Sequence, residues 1–169
     1  MGAEPPVVAG ADKSADVIAT ARLWLRPFTP ADVPKLFAMS QEAVIRRWIP
    51  DQVYRDEAHA AEVAAALAVV ADPRRGAFVL GVELVETREL VGHVGLSPTR
   101  GSVEIGYAIE DAQQGRGFAS EAVRAMTEWA LRDLPEVLGI VAPDNLASRR
   151  VLDKAGFVKI DRGVYRHAR

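Results

Sequence analysis

Cysteine is absent from this chain. Without it the protein can form no disulfide bond, no thiolate metal site and no acyl-cysteine intermediate. Histidine is scarce: the three residues, His59, His93 and His167, are widely separated and match no metal-ligand spacing, so no metal is expected. His93 lies in an apolar stretch and is interpreted as an ordinary strand residue.

A long apolar segment is also missing. No run of about 18 apolar residues occurs, which predicts that the chain does not span a membrane. Residues 1–19 show no basic segment followed by an apolar core, and therefore do not resemble a secretory leader. The expected compartment is the cytoplasm.

Neither sign of charge dominates, since 21 Lys and Arg residues face 23 Asp and Glu residues and the formal net charge is -2. This balance gives no reason to expect a nucleic-acid partner. The 169 residues, of which 49% are hydrophobic, are enough for one domain with one packed core. Residues 1–16 are rich in Ala, Gly, Pro and charge and predict a flexible tail, so the single domain is expected to span residues 17–169.

Periodic apolar positions predict a mixed α/β or α+β domain with the element order β-α-α-β-β-β-α-β-α-β. Thr29 is the expected cap of the first helix, with Pro30 at its first position, and Gly156 is the expected left-handed cap of the last helix. The predicted strands cover residues 20–28, 78–85, 90–96, 102–109 and 137–141, with one or two more in 158–169. The later helices are predicted at residues 56–71, 118–134 and 146–155.

The most informative segment is the glycine-rich turn Gln114-Gly115-Arg116-Gly117, which leaves a strand and opens a long helix. Glycines allow backbone N–H groups to converge, and a helix start adds unpaired N–H groups and a partial positive charge. Together these features are typical of a pyrophosphate site. A plain tight turn is the alternative. No Gly-Lys-Ser/Thr follows, and the dinucleotide fingerprint is broken because Ser120 stands where Gly or Ala is needed.

Four motifs of this sequence, one of which includes the glycine-rich turn, resemble those of the GNAT superfamily of N-acetyltransferases. The turn with Phe118 and Ala119 is similar to its coenzyme A signature, Gln/Arg-x-x-Gly-x-Gly/Ala. The other motifs resemble the branch of the ribosomal-protein N-terminal acetyltransferases (RimJ/RimL-like). They are the opening Arg22-Leu23-x-Leu25-Arg26-Pro27-Phe28 with Asp32, Glu104-Ile105-Gly106-Tyr107 with Ser120-Glu121-Ala122, and Asn145-Leu146-Ala147-Ser148-Arg149-Arg150-Val151-Leu152 with Lys154-Ala155-Gly156-Phe157.

This resemblance implies a GNAT fold, with a mixed central sheet of six to seven strands flanked by about four helices, and acetyl-CoA as cosubstrate. The backbone of Ala108 and Ile109, at the end of one predicted strand, is expected to pair with the pantetheine arm. The backbone of the glycine-rich turn is expected to hold the pyrophosphate. Asn145 is expected to hydrogen-bond the pantetheine, and Arg149 or Arg150 to reach the adenosine phosphates. The implied coenzyme A residues are Ala108, Ile109, Gln114, Gly115, Arg116, Gly117, Phe118, Ala119, Ser120, Asn145, Ser148 and Arg149.

The implied reaction is direct attack of an amine on the thioester, so catalysis consists of positioning and proton handling. Glu104 is the candidate base, because some family members carry their catalytic glutamate here; an exposed residue paired across the sheet is the alternative. The family's usual acid is a tyrosine, but Leu152 occupies its position. Ser148 is the proposed substitute, with support of a helix start as its alternative role. Tyr107 is a nearby hydroxyl that strand alternation turns away from Glu104.

The acceptor is open at this point: a protein N-terminus, a lysine or a small amine all fit, and the acyl group can be larger than acetyl. Arg46, Arg47 and Trp48 lie in the region that lines the acceptor site in the family, and are equally consistent with a solvated surface. Only 12 residues follow Phe157, so a more open acceptor site, or one completed by another subunit of a homodimer, is expected. The competing hypothesis is a non-catalytic acyl-CoA sensor or interaction module of the same fold.

Overall fold

The computed structural model describes residues 17–169, so the tail predicted for residues 1–16 lies outside the described part of the chain. Within it, one sheet of eight strands has the order β1-β2-β3-β4-β5-β6-β8-β7. The strands are β1 (Ile18–Ala19), β2 (Leu23–Arg26), β3 (Phe78–Leu84), β4 (Leu90–Thr99), β5 (Ser102–Ile109), β6 (Glu136–Ile140), β7 (Val158–Asp161) and β8 (Val164–Ala168). The α-helices are α1 (Val33–Ser40), α2 (Ala43–Trp48), α3 (Glu57–Ala68), α4 (Phe118–Ala130) and α5 (Leu146–Lys154).

The two faces of the sheet are covered by different helices. Side chains that alternate along β3, β4 and β5, such as Leu80, Leu96 and Ile105, are buried with Val123 and Met126 of α4 in the main core. The opposite face is covered by α1 and α3, where Leu36, Ala64 and Leu90 form a second, smaller cluster. The mixed α+β architecture expected from the sequence is confirmed, with eight strands and five α-helices in the described residues rather than six to seven and about four.

The sheet divides between β5 and β6. Every neighbouring pair is antiparallel except this one, which is parallel and joined at a single register position, Glu104 with Leu138. On its other side β5 pairs with β4 along its whole length, from Ser102 to Ile109. The second half of β5 therefore has one edge that no strand of residues 17–169 covers, and the space beside it becomes the site described below.

The first predicted strand is shorter than expected. Thr20 accepts a hydrogen bond from the N–H of Leu23 at 2.9 Å, and its own N–H donates to the carbonyl of Leu23 at 2.9 Å. This turn folds Ile18 and Ala19 back against β2 as the separate strand β1. Residues 20–28 are consequently not one strand, and only Leu23–Arg26 pairs with β3.

A buried ion network fixes the start of the helical layer. Arg26 donates to both oxygens of Asp32, at 2.8 and 3.0 Å, and also to the carboxylate of Glu83 on β3. Asp32 in turn accepts from the N–H of Thr29 at 2.7 Å, and Pro30 opens a short 3₁₀ turn before α1. The predicted cap and first position are thus confirmed, although the α-helix itself begins at Val33.

The segment after α1 contains a helix that the sequence did not predict. Ala43–Trp48 forms α2, and its last residues precede Pro50, which stops the helix. Two predicted helices also end earlier than expected: α3 at Ala68 instead of residue 71, and α4 at Ala130 instead of residue 134. In both, a turn follows the last α-helical residue.

The chain ends in a hairpin whose entrance was correctly predicted. Gly156 has a φ of 92°, and the N–H of Phe157 donates to the carbonyl of Leu152 at 3.0 Å, so α5 closes with a left-handed glycine. Phe157 is buried, and β8 then pairs with both β6 and β7. In the described part of the chain, no helix combines the length and the apolar composition needed to cross a membrane.

Candidate active site

A cavity of about 450 Å³ opens where β5 and β6 diverge. Its floor is the free edge of β5, and its two sides are the first turns of α4 and α5 on one face and α2 on the other. The predicted residues that line it are Ala108, Ile109, Gln114, Gly115, Gly117, Phe118, Ala119, Ser120, Asn145 and Ser148. The structure therefore brings most of the predicted site together, while Glu104, Arg116 and Arg149 lie outside the lining.

The glycine-rich turn presents a row of unpaired N–H groups to this cavity. Gly115 and Gly117 have φ values of 76° and 83°, which other residues adopt only with strain. Among the described residues, no backbone carbonyl accepts from the N–H groups of residues 115–120, and the first α4 bond is from Glu121 to Gly117. With the positive end of the α4 dipole, these donors can bind a pyrophosphate-like anion.

Arg22 holds this turn in place. Its guanidinium donates to the carbonyl of Arg116 at 2.9 Å and to Glu121 on α4 at 2.7 Å, and it lies 4.6 Å from the centre of the Phe118 ring. Sequence reasoning used Arg22 only as part of a motif and missed this role. Arg116 itself donates to Gln113 at 2.5 Å and lies 4.9 Å from the centre of the Phe118 ring. Arg116 is not among the residues that line the cavity.

The start of α5 forms the opposite wall. The side-chain oxygen of Asn145 accepts from the N–H of Ser148 at 3.1 Å, which caps the helix and leaves the amide NH₂ as a donor. Asn145 therefore performs the capping role that was the alternative for Ser148, and Ser148 is among the residues that line the cavity. The Tyr107 hydroxyl donates to the carbonyl of Ser148 at 3.0 Å, and burial raises the pKa of Tyr107 to about 12. Tyr107 is thus a neutral tether between β5 and α5.

Two adjacent arginines on α5 have different environments. Arg149 donates to the Tyr165 hydroxyl at 3.1 Å and to the carbonyl of Pro143 at 3.2 Å. It therefore contacts the final hairpin and does not line the cavity. Arg150 lines the cavity, together with Lys154 one turn later. Of the two arginines considered for the adenosine phosphates, the geometry favours Arg150.

Glu104 stands beside the cavity rather than in its wall. It is half-buried on β5, opposite Ser97 of β4, and within residues 17–169 its carboxylate forms neither an ion pair nor a hydrogen bond. Gly106 lies two residues further on the same face, and the space where a side chain would project from it is open. A water over Gly106 can therefore connect Glu104 to the cavity. Leu152 is fully buried against Gly139 and supplies nothing to the site.

The remaining wall is α2, which the sequence did not predict as a helix. Val44, Ile45, Trp48 and Ile49 line the cavity from this side. Arg46 and Arg47 project from the exposed side of α2: Arg46 donates to Gln41 at 2.7 Å, and Arg47 lies 3.8 Å from Asp144. Of the acceptor-region residues singled out in the sequence, Trp48 alone reaches the cavity. The described residues contain no cluster of three metal-ligating side chains.

The model of the acetyltransferase (GNAT) domain matches residues 22–158. The chain belongs to the GNAT acetyltransferase family. The uncharacterized N-acetyltransferase YoaA of Bacillus subtilis is 30% identical to this GNAT chain over 148 residues, covering 85% of it and 83% of YoaA. Because such relatives are N-acetyltransferases, acyl transfer is supported as the general activity.

Solved structures share the fold of this GNAT protein. RimL, a ribosomal L7/L12 alpha-N-protein acetyltransferase in complex with coenzyme A, superposes with a TM-score of 0.74 at 19% identity over 90% of this chain and 98% of RimL. The aminoglycoside acetyltransferase AAC(6')-Ib, also in complex with coenzyme A, gives 0.71 at 19% identity over 87% and 95%. The predicted superfamily is confirmed, and these two neighbours are named for acceptors as different as a protein and an aminoglycoside.

Proposed function

We propose that this protein transfers an acetyl-type group from acetyl-CoA to a primary amine by direct attack, without a covalent acyl-enzyme. The observation that carries the proposal is the convergence of unpaired N–H groups of residues 115–120 and the uncovered edge of β5 on one cavity. A polar ligand with an anionic end and an extended amide arm satisfies both. Coenzyme A is such a ligand, and its presence in the RimL and AAC(6')-Ib structures supports the assignment.

The donor would lie along three surfaces. Its pyrophosphate binds the turn at residues 115–120, with Arg150 and Lys154 as nearby cations. Its pantetheine amides pair with the free backbone of Ala108 and Ile109, in the manner of an added strand. The amide NH₂ of Asn145 donates to a pantetheine oxygen.

The chemical step needs little beyond positioning and proton transfer. Glu104 first takes a proton from the ammonium through a water, for which the open space over Gly106 leaves room. The neutral amine nitrogen then attacks the thioester carbonyl carbon, the carbon–sulfur bond breaks, and the second proton released by the nitrogen passes to the departing thiolate, so that coenzyme A leaves as its thiol. The Ser148 hydroxyl, which lines the cavity, donates a hydrogen bond to the departing sulfur.

One observation favours the alternative of an acyl-CoA sensor without turnover. Position 152, where the family often has a tyrosine acid, is a leucine fully buried in the core. The sensor would bind coenzyme A through the same cavity. The two functions therefore differ in turnover alone.

The test is calorimetric titration of the full-length protein with acetyl-CoA, followed by release of free thiol when amines are added. Gly117→Glu is expected to abolish binding, because a side chain at its φ of 83° strains the turn that supplies the N–H groups, and its Cβ would lie 3.3 Å from the Arg22 guanidinium that holds this turn. Gly101→Glu is a matched control: its φ of 75° imposes similar backbone strain, but it lies in the turn at the opposite end of β5.

Binding with amine-dependent thiol release is the result expected of an acyltransferase. Binding without release from any amine would favour the sensor. Equal binding by the folded Gly117→Glu and Gly101→Glu variants would refute the assignment of the turn.

A further inference from the structure

Within residues 17–169, the apolar side of α2 has no protein partner across the cavity. Val44, Trp48 and Ile49 are only partly buried and line the open space, and Ile45 is 4% exposed. An amphipathic surface helix normally buries such a stripe against the core. Here the stripe faces the cavity, so part of its apolar surface is exposed to solvent until a bound molecule covers it.

Helix α2 is fixed across the gap by contacts at both of its ends. At the first end, Glu42 accepts from the N–H of Asp111, just beyond β5, at 3.0 Å. At the other end, Arg47 lies 3.8 Å from Asp144 in the loop before α5. The helix thus bridges the gap from the segment after β5 to the loop before α5, and its apolar side forms one wall of the cavity.

This wall lies on the face from which the amine must arrive. Ile45 and His93 share a small cavity with Leu36 of α1, and His93 pairs with Ala108, which places α2 on the face of β5 that carries Glu104. The N–H groups of residues 115–120 and the start of α5 belong to the opposite face. A donor bound there leaves the α2 side for the acceptor, beside the proposed base.

The charges around the wall are unsuited to a polycation. The charged side chains that line the cavity are Arg150 and Lys154, and no carboxylate of residues 17–169 is among its lining residues. Among the acids around α2, Glu110 pairs with Lys35 at 2.5 Å, Glu42 accepts from the N–H of Asp111, and Asp144 faces Arg47 at 3.8 Å. Burial raises the pKa of Glu42, which weakens it further as a partner for a cation. Because Glu104 is used by the reacting ammonium, a second ammonium on the acceptor would be desolvated without a counter-charge of its own.

We infer that the acceptor is a primary amine carried on an apolar group, which packs against Val44, Trp48 and Ile49, and that it bears no second positive charge. This inference rests on the proposed function. A free alkylamine and a peptide N-terminus with an apolar first residue share this chemistry. The only charge the site then handles is that of the reacting ammonium, which Glu104 deprotonates.

The test compares pairs of amines in which one member carries a second amino group, and its rate is expressed per reactive amine. Hexylamine and 1,6-diaminohexane form one pair, and the tripeptides Leu-Gly-Gly and Lys-Gly-Gly form the other. With acetyl-CoA as donor, kcat/KM from thiol release is expected to be at least about tenfold higher for the apolar member of a pair. The pair that reacts better tells a small amine from a peptide N-terminus.

Variants of α2 and of Ile49, which follows it, test whether this wall determines the preference for amines without a second charge. Trp48→Ala is expected to raise the KM for hexylamine about tenfold without changing the KM for acetyl-CoA, whereas Arg46→Ala, on the outer side of the same helix, changes neither. Ile49→Glu adds the missing carboxylate and is expected to shift activity toward 1,6-diaminohexane. Ile49→Gln, of the same size and uncharged, keeps the original preference.

Amine binding to the coenzyme A-loaded protein, followed by calorimetry, separates this inference from the proposed function. Tighter binding of hexylamine than of 1,6-diaminohexane without any thiol release would support the inferred ligand class and refute the proposed acyl transfer. Preference for the diamine would overturn the inference, whatever the turnover. A higher kcat/KM with hexanoyl-CoA than with acetyl-CoA, lost in Trp48→Ala, would also overturn it, because α2 would then hold the donor chain.

Discussion

At the scale of single residues, Glu104 has a role that can be separated from binding. It lies on the face of β5 that carries Gly106 but outside the cavity wall, so it can accept a proton through water without touching the donor. We expect Glu104→Gln to lower kcat by about 10²–10⁴, the usual contribution of a general base. Calorimetry is expected to give an unchanged Kd for acetyl-CoA.

The dependence on pH provides the control for this variant. Without a base, turnover must rely on amine that is already deprotonated, so the remaining activity is expected to rise with pH toward the pKa of the acceptor. Full activity of Glu104→Gln at neutral pH would remove Glu104 from the reaction.

His93 is a partly buried residue that the proposed reaction does not use. Its Nε2 is shielded from solvent and has no hydrogen-bond partner in residues 17–169, and burial lowers the pKa of His93 from 6.5 to about 4. The unfolded chain therefore takes up a proton near pH 6.5 and the folded chain only near pH 4. The unfolding free energy must fall as the pH drops between these values, by up to about 3 kcal/mol.

The measurement is chemical unfolding of wild type and His93→Gln at a series of pH values from 7 to 4. The variant has no proton to take up at this position, so its loss of stability over the interval is expected to be smaller than that of wild type, by on the order of 2 kcal/mol. Parallel curves for the two proteins would show that His93 does not titrate between the folded and unfolded states.

Residue types were easier to predict from the sequence than their directions. Asn145 and Ser148 belong to one motif at a helix start, and the structure places both beside the cavity. Arg149 and Arg150 could not be distinguished, since neighbouring helical residues point about 100° apart and a small rotation decides which faces the cavity. The free edge of β5 was implied by the family resemblance but by no local pattern, because it depends on where β6, more than 25 residues later, stops pairing.

At the scale of elements, the glycine-rich turn depends on a strand from the other end of the domain. Arg22, just before β2, holds the carbonyl of Arg116 and the carboxylate of Glu121. We expect Arg22→Ala to weaken acetyl-CoA binding about tenfold by loosening the turn, while kcat at saturating donor stays near wild type. This division between KM and kcat identifies a positioning residue.

Arg22→Lys tests whether geometry or charge matters. Lysine keeps the positive charge but cannot reproduce the planar fork that contacts both partners. If the fork holds the turn, the lysine variant is expected to bind acetyl-CoA almost as weakly as the alanine variant. Wild-type affinity of Arg22→Lys would mean that charge near the phosphates is all that Arg22 supplies.

The elements that sequence reasoning missed are the short ones. α2 has six residues, fewer than two helical turns, and its apolar positions face a cavity, so no long periodic stripe marks it. β1 has two residues and exists only because the Thr20 turn brings it against β2. The long amphipathic α4 and the alternating β5 were predicted because local pattern and tertiary burial agree there.

At the scale of the whole molecule, one geometric feature organises the site: the sheet is continuous except between β5 and β6. On one face the gap is bounded by α4 and α5, with their unpaired N–H groups and cations. On the other face it is bounded by the apolar wall of α2. This division gives a proposed donor and a proposed acceptor separate entrances to a common centre. It also leaves the two halves of the sheet joined at a single residue pair of β5 and β6, Glu104 with Leu138.

Because of that weak junction, a ligand that bridges the gap is expected to stabilise the whole fold. At 100 times its Kd, coenzyme A would add about 2.7 kcal/mol, which corresponds to a rise in Tm of about 5–10 °C for a domain of this size. Amide hydrogen exchange is expected to slow in residues 105–109 and 115–120, which lie on the two sides of the bound arm. Gly117→Glu, which cannot hold the pyrophosphate, is expected to show neither effect. A rise in Tm without slower exchange in residues 105–109 would mean that coenzyme A binds outside the gap, and the strand-like pairing of its pantetheine with β5 would have to be abandoned.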